Sequence, residues 1–266
     1  LTPDQIASYH DLGYLVLESV LDAATLDAIR TQTDEVVAKA SEVTSNDEIY
    51  DLEASHCAEH PRVRRIKTPH KIVPAIDTLV RSTAVGQIVA QLFDNGVRLQ
   101  TTKLNMKSAE FGAPVEWHQD WAFYPHTNDD VLAIGIYLDD CTIENGAMYV
   151  TPGSHKGPVY NHHEHGYFCG AIDPDEIKPE IERAVPLTGP AGTLTIHHAR
   201  LLHGSAFNRS TKARRFLLQA YAAADAWPLA DLKGGLAAFN DKIVHGEPTL
   251  QPRMEAPPVR IPLPLR

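Results

Sequence analysis

His118, Asp120 and His203 have the residue types and spacing of a metal site with one open side. The first two stand two positions apart, and the third follows more than eighty residues later. Two neutral imidazoles and one carboxylate hold an Fe(II) ion on one face and leave the opposite positions open for a co-substrate and O2. Because side chains at i and i+2 point to the same side of a strand, His118 and Asp120 are predicted to bind one ion together. The third ligand would come from a neighbouring strand.

Arg214 lies eleven residues beyond His203 and suits the other half of this chemistry. A guanidinium presents a planar fork that binds a carboxylate through two hydrogen bonds. Near an open iron position, such a group fits the far carboxylate of 2-oxoglutarate, whose keto-acid end would chelate the metal. Arg215 is adjacent, and only one of the two arginines can face inward from a strand.

Other histidines compete for the same role, because the chain contains 14 of them. His197 and His198 are alternatives to His203, and either could instead orient a ligand through its ring N–H. A further cluster lies in a polar stretch and is interpreted as part of a solvated loop, since a His-rich tract is only compositional information. Its members are His162, His163 and His165.

The elements that position these residues follow from the sequence pattern. Thr2-Pro3-Asp4-Gln5 is typical of a helix start, and a second helix is predicted from Ala23 to Ala40. Strand patterns dominate from Gly96 onward, and the segment from Val115 to Trp121 carries the metal motif.

The segment from Val131 to Asp139 alternates strictly, as a strand between two layers does. One face is predicted to pack outward against helices and consists of Leu132, Ile134, Ile136 and Leu138. The other face is predicted to line the interior near iron and consists of Ala133, Gly135 and Tyr137.

These patterns predict a mainly β protein with a double-stranded β-helix core, a jelly roll of the cupin type, and N-terminal helices packed on one face. We expect a single domain over residues 1–266. Its predicted parts are a helical region at about 1–40, a lid or pocket loop at about 41–75, a core at about 96–225 with an insertion at 153–185, and a Pro-rich tail at 227–266.

Composition excludes several other classes of function. The formal net charge of -10 argues against a nucleic-acid groove or an anionic membrane surface. No apolar run approaches the ~20 residues of a membrane span. Cys57, Cys141 and Cys169 lack the spacing of a disulfide framework or a zinc knuckle, so reduced thiols in the cytoplasm are expected.

Several short motifs in a fixed order resemble the phytanoyl-CoA dioxygenase family of Fe(II)/2-oxoglutarate oxygenases, which includes ectoine hydroxylase and related small-molecule hydroxylases. The resemblance covers nearly the whole chain. The motifs are Leu1 to Gln5, Gly13 to Val16, Lys103 to Lys107, Trp117 to Asp120, Asn145 to Met148, Pro152 to Gly157, His203 to Ser205, Asn208 to Ser210, and Arg214.

The resemblance implies a dioxygenase that hydroxylates an unactivated C–H bond and releases succinate and CO2, with Fe(II), 2-oxoglutarate and O2 as cofactor and co-substrates. It selects His203 as the third ligand and Arg214 over Arg215. Asn105 stands thirteen residues before His118, as does the asparagine that contacts 2-oxoglutarate in ectoine hydroxylase. The residues predicted to bind the co-substrate are Arg214, Ser205, Asn105, Gln100 and Lys103.

A small, anionic metabolite is the substrate class that we favour. A basic cluster at 64–71 is interpreted either as an ordinary solvated face or as a loop that folds over the pocket and neutralises such an anion. The predicted substrate residues are Lys67, His70, Trp121, Tyr124 and Tyr137. The alternatives are an acyl-CoA 2-hydroxylase of the phytanoyl-CoA type and a non-catalytic cupin-like metal sensor. No nucleic-acid or membrane partner is expected, and the chain is predicted to be a monomer or homodimer.

Overall fold

The computed structural model describes residues 1–18, 20–109, 112–230, 232 and 234–265. Within these residues the α-helices are α1 (Pro3–Leu12), α2 (Ala23–Lys39), α3 (Pro74–Val80), α4 (Thr83–Phe93), α5 (Lys178–Glu182) and α6 (Gly235–Asn240). The strands are β1 (Tyr14–Leu17), β2 (Tyr50–Leu52), β3 (Val63–Lys67), β4 (Val97–Lys107), β5 (Val115–His118), β6 (Val131–Tyr137), β7 (Met148–Val150), β8 (His163–Glu164), β9 (Tyr167–Phe168), β10 (Val185–Leu187), β11 (Leu194–His198), β12 (His203–Ser205), β13 (Arg214–Ala223) and β14 (Ile243–His245).

The first helix begins where its capping residues predict. The Thr2 hydroxyl accepts from the Gln5 backbone N–H at 3.2 Å, and the Gln5 side chain accepts from the Thr2 N–H at 2.8 Å. Pro3 occupies the first helical position, where its missing N–H costs nothing. The helix ends at Gly13, whose φ of 82° lies in the left-handed region that glycine tolerates.

Two antiparallel sheets face each other and form the predicted jelly roll. The larger sheet has the strand order β1-β11-β6-β13-β4-β3-β2, with β14 also paired to β4. The smaller sheet has the order β10-β7-β12-β5. Side chains from both sheets meet in an interior cluster that includes Tyr137, Met148, Leu187 and Phe216. The predicted fold class is therefore confirmed.

The alternation predicted for β6 is also confirmed. Leu132, Ile134 and Ile136 belong to the outer core, which they share with Ile29 of α2 and other helical residues. Ala133 and Tyr137 belong to the interior cluster instead.

Gly135 leaves room for the Phe216 ring inside the barrel. A Cβ on Gly135 would lie 2.1 Å from Phe216 Cζ and 2.6 Å from Thr195 Oγ1. The Phe216 ring stacks on Tyr137 with centroids 4.7 Å apart. A glycine at this point of the sheet therefore allows an aromatic ring to lie flat against it.

The polar segment over 41–75 contains more regular structure than the predicted loop. β2 and β3 pair with each other, and β3 adds to the edge of the larger sheet through β4. α3 and α4 then cover residues between 74 and 93. Short edge strands with few buried positions give too brief an alternation to be recognised from sequence.

The insertion and the tail pack against each other. Within 153–185 lie the β8–β9 hairpin and α5, and the tail contains α6 and β14. The Phe168 N–H donates to the Pro264 carbonyl at 2.8 Å, and the Trp121 indole N–H donates to the Pro258 carbonyl at 2.9 Å. The end of the tail is thus held close to the residue that follows Asp120.

None of the helices in the described part of the chain is both long and apolar enough to cross a membrane.

Candidate active site

The predicted metal ligands converge in the interior of the jelly roll. His118 ends β5 and stands opposite His203, which begins β12. The ligand atoms of His118, Asp120 and His203 all lie within 4.8 Å of one another, and all three residues are buried. The strand predicted to run to Trp121 ends at His118, and Asp120 begins a 3-10 turn over Asp120–Ala122. The carboxylate therefore reaches the site from a turn and not from the same face of a strand.

Both histidines are held with one ring nitrogen directed at the site. His118 Nδ1 lies 2.8 Å from the Glu116 carbonyl oxygen, and His203 Nδ1 lies 2.9 Å from the Leu201 carbonyl oxygen. A carbonyl only accepts, so each Nδ1 carries the proton and each Nε2 keeps its lone pair. Burial, followed by the charges of His118 and His197, lowers the pKa of His203. His203 is thus prepared as a neutral metal ligand, and both rings are oriented by a backbone carbonyl.

Asp120 is held as a carboxylate by its neighbours. Burial alone would raise its pKa, but the Lys103 ammonium, the neighbouring His118 ring and a hydrogen bond from His197 outweigh burial and lower the pKa well below its usual range. His197 Nε2 lies 3.3 Å from Oδ2, and Lys103 Nζ lies 3.7 Å from Oδ1. His197 thus has the ligand-orienting position that the sequence left open for it.

Gln119, between the two ligands, ties the metal motif to the insertion. Its backbone N–H donates to His162 Nε2 at 2.9 Å, and its side-chain oxygen accepts from the Tyr160 N–H at 3.0 Å. His162 is 1% exposed, and burial lowers its pKa to about 4. The interpretation of the His cluster as a solvated loop fits the exposed His165 but is wrong for His162. Sequence gave no signal for this contact, because its partners are 43 residues apart.

Two buried basic side chains, Arg214 and Lys107, form a second group of candidate functional residues. Arg214 is 2% exposed, and its Nη2 donates to the Gly146 carbonyl. The Lys107 ammonium donates to the Ala113 carbonyl at 2.9 Å and to the Ala206 carbonyl. Burial, with the charge of Arg214 next in size, lowers the pKa of Lys107 to about 7. Lys107 was not predicted as a site residue.

Arg215 faces the opposite way, as the alternation of a strand requires. Its guanidinium contacts Asp139 at 2.8 Å and Asp34 of α2 at 2.7 Å. Arg214 is therefore the arginine that points inward, and Arg215 contacts α2 through Asp34.

One cavity connects the metal ligands to Arg214. Its described lining residues are Lys103, Asn105, Lys107, Val115, His118, Met148, His203, Gly204, Ser205, Arg214, Phe216 and Leu218. Three of these carry positive charge and none is a carboxylate. The donor set of two imidazole nitrogens and one carboxylate fits Fe(II). Cations at the far end fit the distal carboxylate of 2-oxoglutarate.

The predicted co-substrate residues divide into two groups. Arg214, Ser205, Asn105 and Lys103 line the cavity. Gln100 lies at an irregularity in β4, and its side-chain amide donates to His126 Nε2. It is not among the described lining residues of the cavity.

Two of the predicted substrate residues, Lys67 and His70, have partners of their own, and Lys67 stands opposite Lys103 on the neighbouring strand. Lys67 Nζ contacts Asp51 at 2.8 Å and the Asp47 carbonyl at 2.7 Å. His70 Nδ1 lies 2.7 Å from Thr102 Oγ1. Neither is among the described lining residues of the cavity.

The three aromatic residues predicted to bind substrate have different interaction partners. Burial and then the charge of Asp120 raise the pKa of Tyr124, which places its hydroxyl near that carboxylate. Trp121 is fully buried, and its indole N–H donates a hydrogen bond to the Pro258 carbonyl of the tail. The Tyr137 hydroxyl donates to the Leu187 carbonyl at 2.6 Å. A substrate role for these residues stays a prediction.

A jelly roll that brings two histidines, a carboxylate and a buried arginine to one cavity defines an Fe(II)/2-oxoglutarate-dependent dioxygenase. A family profile described as Phytanoyl-CoA dioxygenase (PhyH) matches residues 9–216. The chain belongs to this family of Fe(II)- and 2-oxoglutarate-dependent enzymes, and the predicted family is confirmed.

Named relatives cover several substrates. A protein from Stutzerimonas stutzeri named "Probable alpha-ketoglutarate-dependent hypophosphite dioxygenase" is 44% identical over 267 residues, covering 98% of this chain and 92% of the relative. An L-proline trans-4-hydroxylase from Streptomyces griseoviridis is 35% identical over 179 residues, covering 60% of this chain and 67% of the relative. The crystal structure of EctD from S. alaskensis with bound Fe superposes with a TM-score of 0.74 at 21% identity, covering 97% of this chain and 88% of that chain.

Proposed function

We propose that this dioxygenase oxidises a small anion at an element–hydrogen bond, and that hypophosphite is the first substrate to test. The observation that carries the proposal is the charge of the cavity, which is lined by Lys103, Lys107 and Arg214 without a carboxylate among its described lining residues. Asp120, the acidic metal ligand, lies at one end.

The cations exceed what the cofactor and co-substrate neutralise. Fe(II) adds two positive charges and Asp120 removes one. 2-Oxoglutarate brings two negative charges, which Arg214 and the bound iron balance. Two lysines are then left, Lys107 at the Arg214 end and Lys103 beside the metal ligands, 3.7 Å from Asp120 Oδ1. In a cavity of low dielectric, an uncompensated cation favours an anionic substrate over a neutral one.

The relative from Stutzerimonas stutzeri supports a particular anion, because the similarity covers almost the whole of both chains. Oxidation of hypophosphite replaces one P–H bond with P–OH and gives phosphite. One oxygen atom of O2 enters the phosphorus product and the other enters succinate, while the 2-oxoglutarate carboxyl group leaves as CO2. The same balance applies to a C–H bond of a small carboxylate or phosphonate.

Iron with bound 2-oxoglutarate supplies the activation of O2, and the protein supplies position and charge. His118, Asp120 and His203 fix the metal, and His197 orients the carboxylate. In this proposal Arg214 and Ser205 hold the distal carboxylate of the co-substrate. Asn105 is kept in place by Arg65, whose Nε donates to its side-chain oxygen at 3.1 Å.

The test is to incubate iron-loaded protein with 2-oxoglutarate, O2 and hypophosphite, and to follow phosphite by phosphorus NMR together with succinate. Equal amounts of phosphite and succinate, lost in His118→Ala, are expected. Parallel incubations contain methylphosphonate, L-proline and phytanoyl-CoA. Oxidation of L-proline or phytanoyl-CoA, with no turnover of either small anion, would overturn the proposal.

A further inference from the structure

Lys103 occupies a distinct place on the strand that forms one wall of the cavity. On β4 the side chains of Lys103, Asn105 and Lys107 alternate inward and all line the cavity. Lys107 lies at the Arg214 end, and Lys103 lies at the end of the metal ligands. Over four residues of a strand the two lysines are separated by about 13 Å of backbone, and their ammonium groups have different partners: Asp120 for Lys103, and the Ala113 and Ala206 carbonyls for Lys107.

The ammonium of Lys103 is less engaged than those of the other lysines near the site. Lys107 donates to two backbone carbonyls, and Lys67 contacts Asp51 and the Asp47 carbonyl. Among the residues that the structure describes, Lys103 has Asp120 as its ionic partner, at 3.7 Å. That distance is longer than a hydrogen bond, so the three N–H donors of Lys103 are not used by Asp120.

Iron held by Asp120 would weaken the attachment of Lys103 to this carboxylate, because the carboxylate charge would then be shared with the metal. His197 already contacts the other oxygen at 3.3 Å. The ammonium side chain is 33% exposed, whereas that of Asp120 is 4% exposed. Lys103 can therefore move away from a buried carboxylate toward a ligand on the open side of the metal.

We infer that Lys103 is the residue that binds the oxyanion of the substrate beside the metal, a substrate-specificity residue separate from the co-substrate site at Arg214. This inference rests on the proposed anionic substrate. It reassigns Lys103, which the sequence grouped with the co-substrate residues, and it does not assign this role to Lys67, whose ammonium group already contacts Asp51 and the Asp47 carbonyl.

The test compares Lys103→Met and Lys103→Arg with Lys67→Met, which removes the competing candidate, the lysine opposite Lys103 on β3. For each variant, the affinity for 2-oxoglutarate is measured from the visible charge-transfer band of the anaerobic iron complex. The KM for hypophosphite is measured from phosphite release at saturating 2-oxoglutarate. Hydrogen bonds to charged groups correspond to about a 10- to 100-fold change in KM. We expect that rise in Lys103→Met, partial recovery in Lys103→Arg, and no change in Lys67→Met.

The outcomes separate the roles that Lys103 could have. A weaker 2-oxoglutarate affinity at unchanged hypophosphite KM overturns the inference in favour of a co-substrate role. Loss of the band in Lys103→Met overturns it in favour of a structural role at Asp120. A rise in KM for Lys67→Met alone returns the substrate role to the edge of the larger sheet.

Failure of the proposed function gives a different result. If wild type does not oxidise hypophosphite, its binding to the anaerobic iron and 2-oxoglutarate complex is measured by calorimetry. Binding in wild type that is lost in Lys103→Met supports the anion site without the proposed reaction. Equal binding in both proteins, or binding in neither, overturns the inference.

Discussion

At the metal end of the cavity the Asp120 carboxylate is surrounded by His197 and Lys103, whereas at the far end Arg214 and Lys107 contact backbone carbonyls. The metal end is balanced in charge before an ion arrives. The arginine end has two buried basic groups, the Arg214 guanidinium and the Lys107 amine, with no described carboxylate in the lining. A buried cation without a counter-ion is costly, so the arginine end gains most from a dianion. The two ends should therefore respond differently to substitution.

The largest effect is expected at the metal end from His203→Ala. Removing one of three ligands leaves too few protein donors to hold Fe(II). Iron content, the anaerobic charge-transfer band and succinate release should fall to the level of metal-free protein. The far-ultraviolet circular dichroism should be unchanged, and a variant that keeps stoichiometric iron would contradict the assignment of this ligand.

Arg214→Met should affect co-substrate binding at the arginine end without affecting iron binding at the metal end. Loss of charged hydrogen bonds should weaken 2-oxoglutarate binding by about 10- to 100-fold, while iron affinity without co-substrate stays the same. Arg215→Met is the matched control, because its guanidinium pairs with Asp34 and Asp139 outside the cavity. Titration of the charge-transfer band measures both. Equal losses in the two variants would show that the effect is on folding and not on the site.

His162→Ala should lower the affinity for iron, although His162 is not itself a metal ligand. The His162 ring accepts from the Gln119 N–H, and groups that orient metal ligands typically contribute about tenfold or more to metal affinity. His162→Gln retains an acceptor and should recover part of the affinity. His165→Ala, at an exposed position of the same insertion, should bind iron as wild type does. Competition with a coloured chelator measures these affinities.

The smallest effect is expected on proton uptake by Lys107, at the Arg214 end of the cavity. Burial and the charge of Arg214 lower the pKa of Lys107 to about 7, and the 2-oxoglutarate dianion should raise it again. Between pH 7 and the usual lysine pKa of 10.5, co-substrate binding should therefore take up a proton and weaken as pH rises. Calorimetry at pH 8 in buffers of different ionisation enthalpy should detect this uptake in wild type but not in Lys107→Met.

The same pKa difference affects stability without ligand. In this pH range the unfolded chain protonates Lys107 while the folded chain does not, so unfolding takes up protons. This group's contribution to the free energy of unfolding should then rise with pH between 7 and 10.5. Chemical denaturation of wild type and Lys107→Met at several pH values measures the difference.

Sequence predicted what depends on residue type and order. His118, Asp120 and His203 were predicted as ligands because their types and family spacing suit Fe(II), and β6 was predicted from its alternation. The turn that carries Asp120 was not predicted, because a two-residue spacing fits both a strand and a tight turn. Lys107 was missed because its role depends on carbonyls that folding brings to it, from Ala113 and Ala206.

One local arrangement recurs at four histidines and serves different purposes. His118, His126, His162 and His203 each donate from Nδ1 to the carbonyl two residues earlier. In two of them the remaining nitrogen faces the metal position, in His162 it accepts from a backbone N–H, and in His126 it accepts from Gln100. The local contact fixes the tautomer, and only the tertiary fold decides what the free nitrogen meets.

The packing of Phe216 on Gly135 has a consequence for how the cavity can vary. Phe216 lines the cavity, but the residue that gives its ring space is not among the described lining residues. A methyl group at position 135 would push the ring off its stack on Tyr137 and into the adjacent free volume. The width of the cavity therefore depends on position 135, although this residue does not itself line the cavity. A larger residue at position 135 would need a smaller one at position 216 to keep the same width.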